Sequence, residues 1–542
     1  MLKRLAIASL ILLSLPNRVS AREADYKVIP MPQSVEYKTG DSPFELTSKS
    51  VIRYQSVNSK MKSNAVFLRS YIKDLLGLDL KITKKTAGAG ILLKIDSNIK
   101  NDEGYVMEVD KDRIVISGKT EAGVFYGIQT LRKSLPLSDN GKILFPAVRI
   151  VDYPRFAYRG GMFDVCRHFF PVDSVKAFID ILALHNINRF HWHLSEDQGW
   201  RIEIKSRPLL TKIGSKRDET VVGRANSGKY DGIPYGGYYT QKQIKEIVKY
   251  AAQRYITIIP EIDMPGHMLG ALAAYPELGC TGGPYKVWTK WGISKDVLCA
   301  GNDESLKFID DVLSEIVELF PSKYIHIGGD ECPKERWKDC PKCQARIKEL
   351  NLTADDNHTA EQKLQSFVMQ HAEKFLNSKG RQIIGWDEIL EGGLAPNATV
   401  MSWRGEKGGI AAAKMHHQVI MSPNTYLYFD YYQSTDKQNE PLAIGGYIPV
   451  EKVYNYEPLP AALNAEEQKY ICGVQANLWT EYIPTFDYVE YMVLPRYAAL
   501  SEVQWTSPEN KNYDLFLKRV VHMTDIYKKC GYNYAKHIFM NK

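Results

Sequence analysis

From residue 157 onward, short apolar runs of the chain alternate with longer amphipathic segments. The runs are four to seven residues long and rich in Ile, Val and aromatic side chains, which favours buried β-strands. Eight such strand–helix alternations over about 350 residues predict an α/β fold, a (β/α)8 TIM barrel rather than an open doubly wound sheet. The predicted strands are residues 158–164, 189–194, 257–262, 324–327, 382–386, 400–403, 418–421 and 471–475.

The amphipathic segments carry the signals of helix ends as well as one apolar face. Thr240 and Gln243 have the spacing of a capping box, and apolar residues then recur at helical spacing from Ile244 onward. A second helical face begins at Ile309 and stops before Pro321, which cannot continue a helix. Such helices fit the outer layer of a barrel.

The chain before the barrel has a different organisation. Residues 105–109 and 113–116 alternate in the manner of two strands joined by a tight turn, and helical periodicity follows from residue 121. The predicted divisions are a smaller mixed α/β domain at 22–152, the barrel at 153–505 and a C-terminal helical extension at 506–542.

The first 21 residues have the pattern of a secretory signal peptide. Lys3 and Arg4 supply a positive start, an apolar run follows to Leu15, and small residues precede the expected cleavage after Ala21. The run is shorter than the roughly 20 residues that span a bilayer, so an uncleaved anchor is the less favoured alternative. No later stretch is apolar enough for stable membrane insertion. We therefore expect an exported protein, periplasmic or extracellular.

The charge of the chain argues against nucleic acid as a partner. The formal net charge is +7, and loss of the signal peptide removes three basic residues to leave +4. No dense Lys/Arg cluster accompanies this weak bias. The 33 Tyr and 9 Trp, by contrast, offer flat apolar faces with a polar edge, which suit sugar binding.

The eight cysteines of the chain permit disulfides in an exported protein. Cys280 and Cys299 bracket one loop and are candidate partners. Cys332, Cys340 and Cys343 form a second group with a CxxC, but a structural zinc site needs four N/S ligands and no matching His is near. We therefore expect a local disulfide with one thiol left over, and neither a metal nor a cofactor.

Carboxylates and tryptophans recur where the predicted barrel strands end. Catalytic residues of TIM barrels lie at the C-terminal ends of the strands. Carboxylates accept hydrogen bonds from sugar hydroxyls, and indole faces stack on pyranose rings, so this pattern predicts a sugar pocket. The candidates at these ends are Asp197, His267, Asp330, Glu331, Trp386, Trp403, Tyr428, Asp430, Trp479 and Glu481.

The adjacent pair Asp330 and Glu331 is the strongest candidate for chemistry. Acidic pairs are usually solvated surface features, but this one follows a buried strand and two glycines that allow close backbone approach. Arg159 is a further candidate, because an unpaired charge inside an otherwise apolar strand is costly.

Two histidines on the second strand allow a different interpretation. His191 and His193 have the H-x-H spacing of some metal-dependent barrel hydrolases, and alternate residues of a strand share a face. No carboxylated lysine or further histidine set completes the ligands, so we favour a pair of hydrogen-bonded core histidines.

Taken together, these stretches resemble glycoside hydrolase family 20, the β-N-acetylhexosaminidases. The resemblance covers nearly the whole mature chain, including the smaller α/β domain, and is most specific at residues 159–168, 191–200 and 326–331. It implies an exo-acting enzyme that removes terminal N-acetylglucosamine or N-acetylgalactosamine from a glycan with net retention, without a cofactor. Glu196, where many members carry Asp, and Cys332 are modest departures.

The resemblance also implies roles for individual residues. Glu331 would protonate the glycosidic oxygen and later activate water, while Asp330 would hold the substrate's 2-acetamido group, whose carbonyl oxygen is the nucleophile. Tyr428 would donate a hydrogen bond to that carbonyl. The other implied contacts are tryptophan walls from Trp386, Trp403 and Trp479, hydroxyl contacts from Arg159 and Glu481, and a polar shell of Asp197, His267 and Asp430.

The carboxylate spacing favours the same mechanism. Ordinary retaining glycosidases use two carboxyl groups about 5–5.5 Å apart across the bond, whereas adjacent residues at a strand end point in different directions and suit substrate assistance. The other alternative is a catalytically silent glycan-binding protein, which the intact Asp330–Glu331 pair with Tyr428 disfavours. The sequence does not decide between a monomer and a homodimer.

Overall fold

The computed structural model describes residues 21–137 and 141–539. The predicted signal peptide therefore lies outside the described residues, except for its last position, Ala21. Within those ranges, no helix combines the length and the apolar character needed to cross a bilayer.

A seven-stranded mixed sheet with two helices forms most of the N-terminal part, and a three-stranded sheet accompanies it. Its elements are β1 (Ala21–Glu23), β2 (Ser34–Tyr37), β3 (Phe44–Leu46), β4 (Val51–Tyr54), α1 (Ser59–Leu76), β5 (Lys81–Thr83), β6 (Gly90–Ile95), β7 (Tyr105–Val109), β8 (Arg113–Gly118), α2 (Glu121–Ser134), β9 (Lys142–Phe145) and β10 (Val148–Asp152). The large sheet has the order β2-β10-β7-β8-β6-β4-β5, and the small one β1-β9-β3.

The rest of the chain forms a closed parallel barrel, which confirms the predicted TIM fold. Its strands are β11 (Tyr158–Asp164), β12 (Arg189–His193), β17 (Thr257–Glu261), β18 (Tyr324–His326), β19 (Gln382–Trp386), β20 (Thr399–Ser402), β21 (Val419–Met421) and β22 (Ile471–Ala476). Each of their ends agrees with the sequence prediction to within one residue. The barrel closes where Gly473 meets Tyr158, and a Cβ at Gly473 would lie 1.8 Å from the Tyr158 carbonyl oxygen.

Helices and two short two-stranded sheets occupy the connections between the barrel strands, and three further helices of the described chain follow the last strand. The helices are α3 (Val172–Leu184), α4 (Leu209–Lys212), α5 (Gln241–Ala252), α6 (Leu269–Ala274), α7 (Asp303–Leu319), α8 (Glu335–Asp339), α9 (Pro341–Glu349), α10 (Ala360–Ser378), α11 (Lys407–Lys414), α12 (Asn424–Leu427), α13 (Val450–Tyr454), α14 (Ala465–Gln468), α15 (Phe486–Val493), α16 (Arg496–Trp505) and α17 (Tyr513–Cys530). Both sheets follow the second barrel strand, β13 (Ser195–Glu196) with β14 (Gly199–Trp200) and β15 (Lys216–Arg217) with β16 (Tyr235–Gly236). Four 3₁₀ turns in the described chain lie at Pro276–Leu278, Asp387–Leu390, Pro508–Asn510 and His537–Phe539.

Local sequence explains the helix ends that frame the barrel. The predicted capping box of α5 is formed, with the Thr240 side chain accepting from the Gln243 amide and the Gln243 side chain accepting from the Thr240 amide. Asn302 caps α7 through the Glu304 amide, and that helix ends at Leu319, two residues before Pro321.

The N-terminal sheet, the barrel and the last helix contact one another through buried polar groups. Asp152, the last residue of β10, accepts hydrogen bonds from the Tyr105 hydroxyl at 2.7 Å and from the Trp505 indole at 2.9 Å. In α17, Arg519 pairs with Glu502 of α16 at 2.6 Å, and His522 contacts the Lys133 carbonyl oxygen of α2 at 2.8 Å. These contacts fix the N-terminal part against the barrel.

Candidate active site

A cavity of about 390 Å³ opens at the C-terminal ends of the barrel strands. This volume lies in the range of small-ligand pockets, roughly 300–1,000 Å³. Aromatic rings and charged side chains alternate around it. The residues that line it include Arg167, Trp291, Asp330, Glu331, Trp403, Tyr428, Asp430, Trp479, Glu481 and Tyr482.

The turn after β18 presents the acidic pair to this cavity. Gly328 and Gly329 have φ values of 67° and 99°, and Glu331 has a φ of 45°, which side-chain-bearing residues adopt only at some cost. A Cβ at Gly328 would lie 1.7 Å from an oxygen of Asp263, so only glycine fits there. Asp263 in turn accepts the Gly329 amide at 3.2 Å. The strained turn explains why two adjacent carboxylates face the pocket in different directions.

Asp330 is the more buried member of the pair. Its side chain is 11% exposed, and its Oδ1 has no hydrogen-bond partner among the described residues. Burial, together with the negative charges of Glu261 and Glu331, raises the pKa of Asp330 to about 6, although the nearby His267 acts in the opposite direction. The free oxygen atom is therefore a ready acceptor for a ligand N–H.

His267 links the acidic pair to the barrel. Its Nδ1 lies 2.7 Å from Glu196 Oε1, and its Nε2 lies 3.5 Å from Glu331 Oε2 and 3.8 Å from Asp330 Oδ2. Burial alone would lower the pKa of His267, but the carboxylates of Glu196, Asp197 and Glu331 raise it well above its ordinary value. The imidazole is therefore a cation that faces both catalytic candidates.

The carboxylate of Asp197 accepts hydrogen bonds from the backbone and does not face the cavity. Its Oδ1 accepts the Leu269 amide at 3.0 Å, and its Oδ2 accepts the Ser294 amide at 3.1 Å and lies 3.6 Å from His267 Nδ1. The resemblance implies a place for Asp197 in the polar shell around the sugar, but in the structure both of its carboxylate oxygens accept backbone amides and hold two loops together.

Trp403, Tyr428 and Trp479 line the cavity, and Trp386, which is 1% exposed, packs against Trp479. Trp386 and Trp479 have ring centroids 5.9 Å apart, and the Trp403 and Tyr428 rings stack at 6.0 Å with 21° between their planes. The indole of Trp386 donates to Glu261 at 2.8 Å, and that of Trp403 donates to Glu388 at 2.8 Å. These hydrogen bonds fix the ring orientations, which is what a stacking site for a sugar requires.

Two further carboxyl groups of the pocket have free oxygens. Both carboxylate oxygens of Asp430 and Oε2 of Glu481 are buried without a hydrogen-bond partner in the part of the chain that the structure describes. Burial and the proximity of Glu481 raise the pKa of Asp430 well above its usual range, and burial also raises that of Glu481. Buried polar atoms are normally satisfied, so these oxygens mark a place for ligand hydroxyls.

Arg159 does not lie in the pocket, and the prediction that it binds substrate hydroxyls is wrong. It is the second residue of β11 and therefore lies at the opposite, N-terminal end of the barrel. Its guanidinium is buried and donates to Glu103 at 2.7 and 3.1 Å, to the Tyr126 hydroxyl at 2.9 Å and to the Asn186 carbonyl oxygen at 2.8 Å. Glu103 of the N-terminal domain therefore pairs with the charge that Arg159 places in the apolar strand.

Arg167 is the pocket arginine that the sequence reasoning missed. It follows the C-terminal end of β11, and its guanidinium lies 2.9 Å from Glu196 and 3.3 Å from Asp164, with its carbon 4.9 Å from the centre of the Trp479 ring. The strand-end rule that selected the other candidates would have selected Arg167 in place of Arg159, which precedes the strand end by five residues.

The two histidines of β12 are hydrogen-bonded core residues, as the favoured interpretation predicted. Nε2 of His191 lies 2.9 Å from Glu261, and its Nδ1 lies 2.9 Å from the Gln475 amide. His193 contacts Glu261 through Nδ1 and lies 3.1 Å from Glu196 through Nε2. Each ring nitrogen thus has a protein partner.

Comparison with known proteins places the chain in a family. Residues 156–508 match the model of the glycosyl hydrolase family 20 catalytic domain, and residues 25–153 match that of the family's domain 2. A β-hexosaminidase of Porphyromonas gingivalis is 46% identical over 501 residues; these are 91% of this chain and 62% of that relative's length, so the chain spans less than two thirds of it.

Solved structures agree with this match. A Streptomyces plicatus N-acetyl-β-hexosaminidase in complex with Thio-NAglucal superimposes with a TM-score of 0.81 at 31% identity, covering 94% of this chain and 96% of that one. An exo β-N-acetylglucosaminidase of Vibrio harveyi in complex with N-acetylglucosamine gives a TM-score of 0.83 at 31% identity, covering 97% and 81%. The chain therefore belongs to glycoside hydrolase family 20 and contains both the catalytic barrel and domain 2 of that family.

Proposed function

We propose that the protein is an exo-acting β-N-acetylhexosaminidase that releases terminal N-acetylhexosamine from glycans with retention of configuration. The main support is the combination, in one pocket of about 390 Å³, of the Asp330–Glu331 pair with three further buried carboxylate oxygens that lack partners within the described chain. A ligand with several hydroxyls and one amide N–H would satisfy these atoms. The complexes of the two structural relatives contain molecules of that kind.

Glu331 is the general acid and base in this proposal. Its side chain is 35% exposed, three times as open as that of Asp330, so it can reach the glycosidic oxygen above the sugar. Glu331 gives its proton to that oxygen as the bond to the anomeric carbon breaks. It then takes a proton from the water that attacks the same carbon.

Asp330 acts on the substrate's own nucleophile. The carbonyl oxygen of the 2-acetamido group attacks the anomeric carbon and forms a cyclic oxazolinium ion, while the Asp330 carboxylate accepts a hydrogen bond from the amide N–H. Tyr428 donates its hydroxyl hydrogen to the acetamido oxygen. Water then opens the ring, the amide is restored, and the product keeps the β configuration after two inversions.

The remaining pocket residues recognise the sugar. Arg167 presents N–H donors to ring hydroxyls, while Asp430 and Glu481 accept hydrogen bonds from them. Trp386, Trp403 and Trp479 enclose the acetamido group and the apolar face of the ring. His267 touches no substrate atom in this scheme and acts as a positioning residue through its contact with Glu331 at 3.5 Å.

The experiment compares two aryl glycosides that differ only in bearing an acetamido or a hydroxyl group at C2. We expect kcat on the hydroxyl substrate to fall by at least two orders of magnitude, because the internal nucleophile is missing. A loss confined to KM would mean that the acetamido group is only recognised and takes no part in the chemistry. Asp330→Asn, which keeps the shape of the side chain but weakens the charge that orients the amide, should also lower kcat. Asp339→Asn, altered at an exposed residue of α8, is its control and should retain wild-type kinetics.

We also propose that the protein is exported, on the strength of the N-terminal signal pattern alone. Protein purified from its native host should then begin near Arg22. N-terminal sequencing that found Met1 retained would overturn the export proposal and leave the catalytic one untouched.

A further inference from the structure

Four cysteines from two separate loops meet beside the active-site rim. Cys280 and Cys299 bound a segment of the loop that follows β17, here called the rim loop (residues 281–298), while Cys340 precedes α9 and Cys343 lies in its first turn. Their four sulfur atoms lie within 4.8 Å of one another. The expected grouping of Cys332 with the CxxC is wrong. The Cys332 thiol donates to the neighbouring Pro333 carbonyl oxygen at 3.9 Å, and the sulfurs that join those of Cys340 and Cys343 come from Cys280 and Cys299.

The sulfur distances fit a tetrahedron. Cys299 lies 3.6 Å from Cys340 and 3.6 Å from Cys343, and Cys280 lies 3.8 Å from Cys343. Four bonds of about 2.3 Å from one zinc ion would place tetrahedral sulfurs about 3.8 Å apart. A pair of disulfides would instead give each sulfur one preferred partner, whereas Cys299 and Cys343 each have two at similar distances. The arrangement therefore corresponds to a shared centre and not to two pairs.

The backbone around the cluster is shaped to hold the sulfurs. The Gly301 backbone lies against Lys342 and Cys343 of the CxxC turn. A Cβ at Gly301 would lie 2.2 Å from the carbonyl carbon of Lys342, so only glycine lets this backbone lie against the CxxC turn. This close approach brings the CxxC and the end of the rim loop together at the four sulfurs.

We propose that Cys280, Cys299, Cys340 and Cys343 bind one structural zinc ion. Four thiolates select zinc among the common divalent ions, and a site with four protein ligands has no open position for a substrate or water. As the ion binds, each thiol releases its proton to solvent. The site is therefore separate from the glycoside chemistry and does not depend on the proposed function.

The position of the site indicates a structural role for the ion. The rim loop carries Trp291 and Ile293 to the lining of the pocket, and its Ser294 amide holds Asp197 at 3.1 Å. The CxxC belongs to the segment that follows Asp330 and Glu331. A zinc ion would cross-link the two segments and so hold the wall of the pocket against the acidic pair.

Metal analysis of the purified full-length protein tests the proposal. We expect about one zinc per chain by elemental analysis, and an X-ray absorption spectrum with four sulfur neighbours at about 2.3 Å. A Cys343→Ser variant should lose the zinc, whereas Cys530→Ser, altered at the end of α17, should keep it. If Cys343→Ser does not fold, the absorption spectrum of the wild-type protein still decides the ligand set.

A thiol count separates zinc from disulfides. After denaturation with a chelator, all eight cysteines should react with a thiol reagent. A count of four, with no stoichiometric zinc, would mean two disulfides and would overturn the proposal. Zinc retained in Cys343→Ser, or sulfur-free coordination in the spectrum, would also overturn it. Cobalt substitution provides an independent readout, because tetrahedral thiolate-bound cobalt absorbs in the visible region.

Discussion

Two arginines eight residues apart, Arg159 at the start of β11 and Arg167 just beyond its C-terminal end, show how the two ends of the barrel differ. At the N-terminal end Arg159 is buried and bonded to Glu103, Tyr126 and two backbone carbonyl oxygens, so each of its polar groups has a protein partner. At the C-terminal end Arg167 lines a cavity in which carboxylate oxygens of Asp330 and Asp430 lack partners within the described residues.

The difference separates stability from function. A satisfied buried charge contributes to the native state and offers nothing to a ligand, whereas buried oxygens without partners cost stability and become satisfied when a substrate binds. We therefore expect substitutions at the N-terminal end to change unfolding and those at the C-terminal end to change catalysis.

The largest effect should come from Glu331→Gln, which removes the acid from the cavity end. Turnover of substrates with poor leaving groups should fall by about 10²–10⁴-fold, because the glycosidic oxygen no longer receives a proton. Activated aryl glycosides need little protonation and should lose much less. Equal losses on both substrate types would contradict the role of Glu331. Glu318→Gln, on the exposed side of α7, is the matched control and should behave as the wild type.

Matched lysine substitutions at the two arginines test the contrast between the ends directly. Lysine keeps the charge but cannot reproduce the fork of N–H donors. Arg159→Lys should lower the free energy of unfolding by about 2–4 kcal/mol, with kcat/KM of the folded protein unchanged. Arg167→Lys should lower kcat/KM by about 10–100-fold, with a smaller change in the unfolding midpoint. If Arg159→Lys lowered kcat/KM and Arg167→Lys lowered the free energy of unfolding instead, the comparison would be refuted.

Glu481→Gln should sharpen the comparison by improving stability while it impairs binding. Burial raises the pKa of Glu481, so its ionised form costs folding free energy at neutral pH, and the neutral amide removes that cost. We expect the free energy of unfolding to rise and KM to increase. A destabilised variant in a chemical denaturation series would show that Glu481 has a structural role.

The smallest effect is a pH dependence set by Asp330. Its pKa is raised to about 6, so its carboxylate is lost as the pH falls through 6, and kcat/KM should fall on the acidic side with a midpoint near that value. The raised pKa also means that ionised Asp330 lowers stability above pH 6 and that this cost disappears below it. His267 acts to lower this pKa, so His267→Gln should move the acidic limb to higher pH. If the acidic limb of the pH profile stayed in place in His267→Gln, a group other than Asp330 would set it.

The barrel strands could be predicted almost completely, because apolar runs and helix caps are local signals, whereas only two strands and one helix of the N-terminal part were predicted. The capping box at Thr240 and the stop before Pro321 are both present in the structure. The roles of residues whose partners lie far away in the sequence were harder to predict. The sequence shows a charge in an apolar strand at Arg159, but its partner Glu103 lies 56 residues earlier in another domain.

The cysteines illustrate the same limit. Spacing alone joins Cys340 to Cys343, but only the three-dimensional course of the rim loop brings Cys280 and Cys299 to them. The strand-end rule, by contrast, works because it states where in a barrel a residue lies. Applied strictly, it selects Arg167, directly after the strand, and rejects Arg159 at the strand's start.

The central claim, that the substrate supplies the nucleophile, is tested most directly by weighing the enzyme during turnover of a slow fluorinated N-acetyl-β-hexosaminide. Substrate assistance predicts that the mass of the protein stays that of the free chain, because the intermediate is an oxazolinium ion that is not bonded to the enzyme. A stable glycosyl adduct, located by peptide mapping on Asp330 or Glu331, would contradict the mechanism.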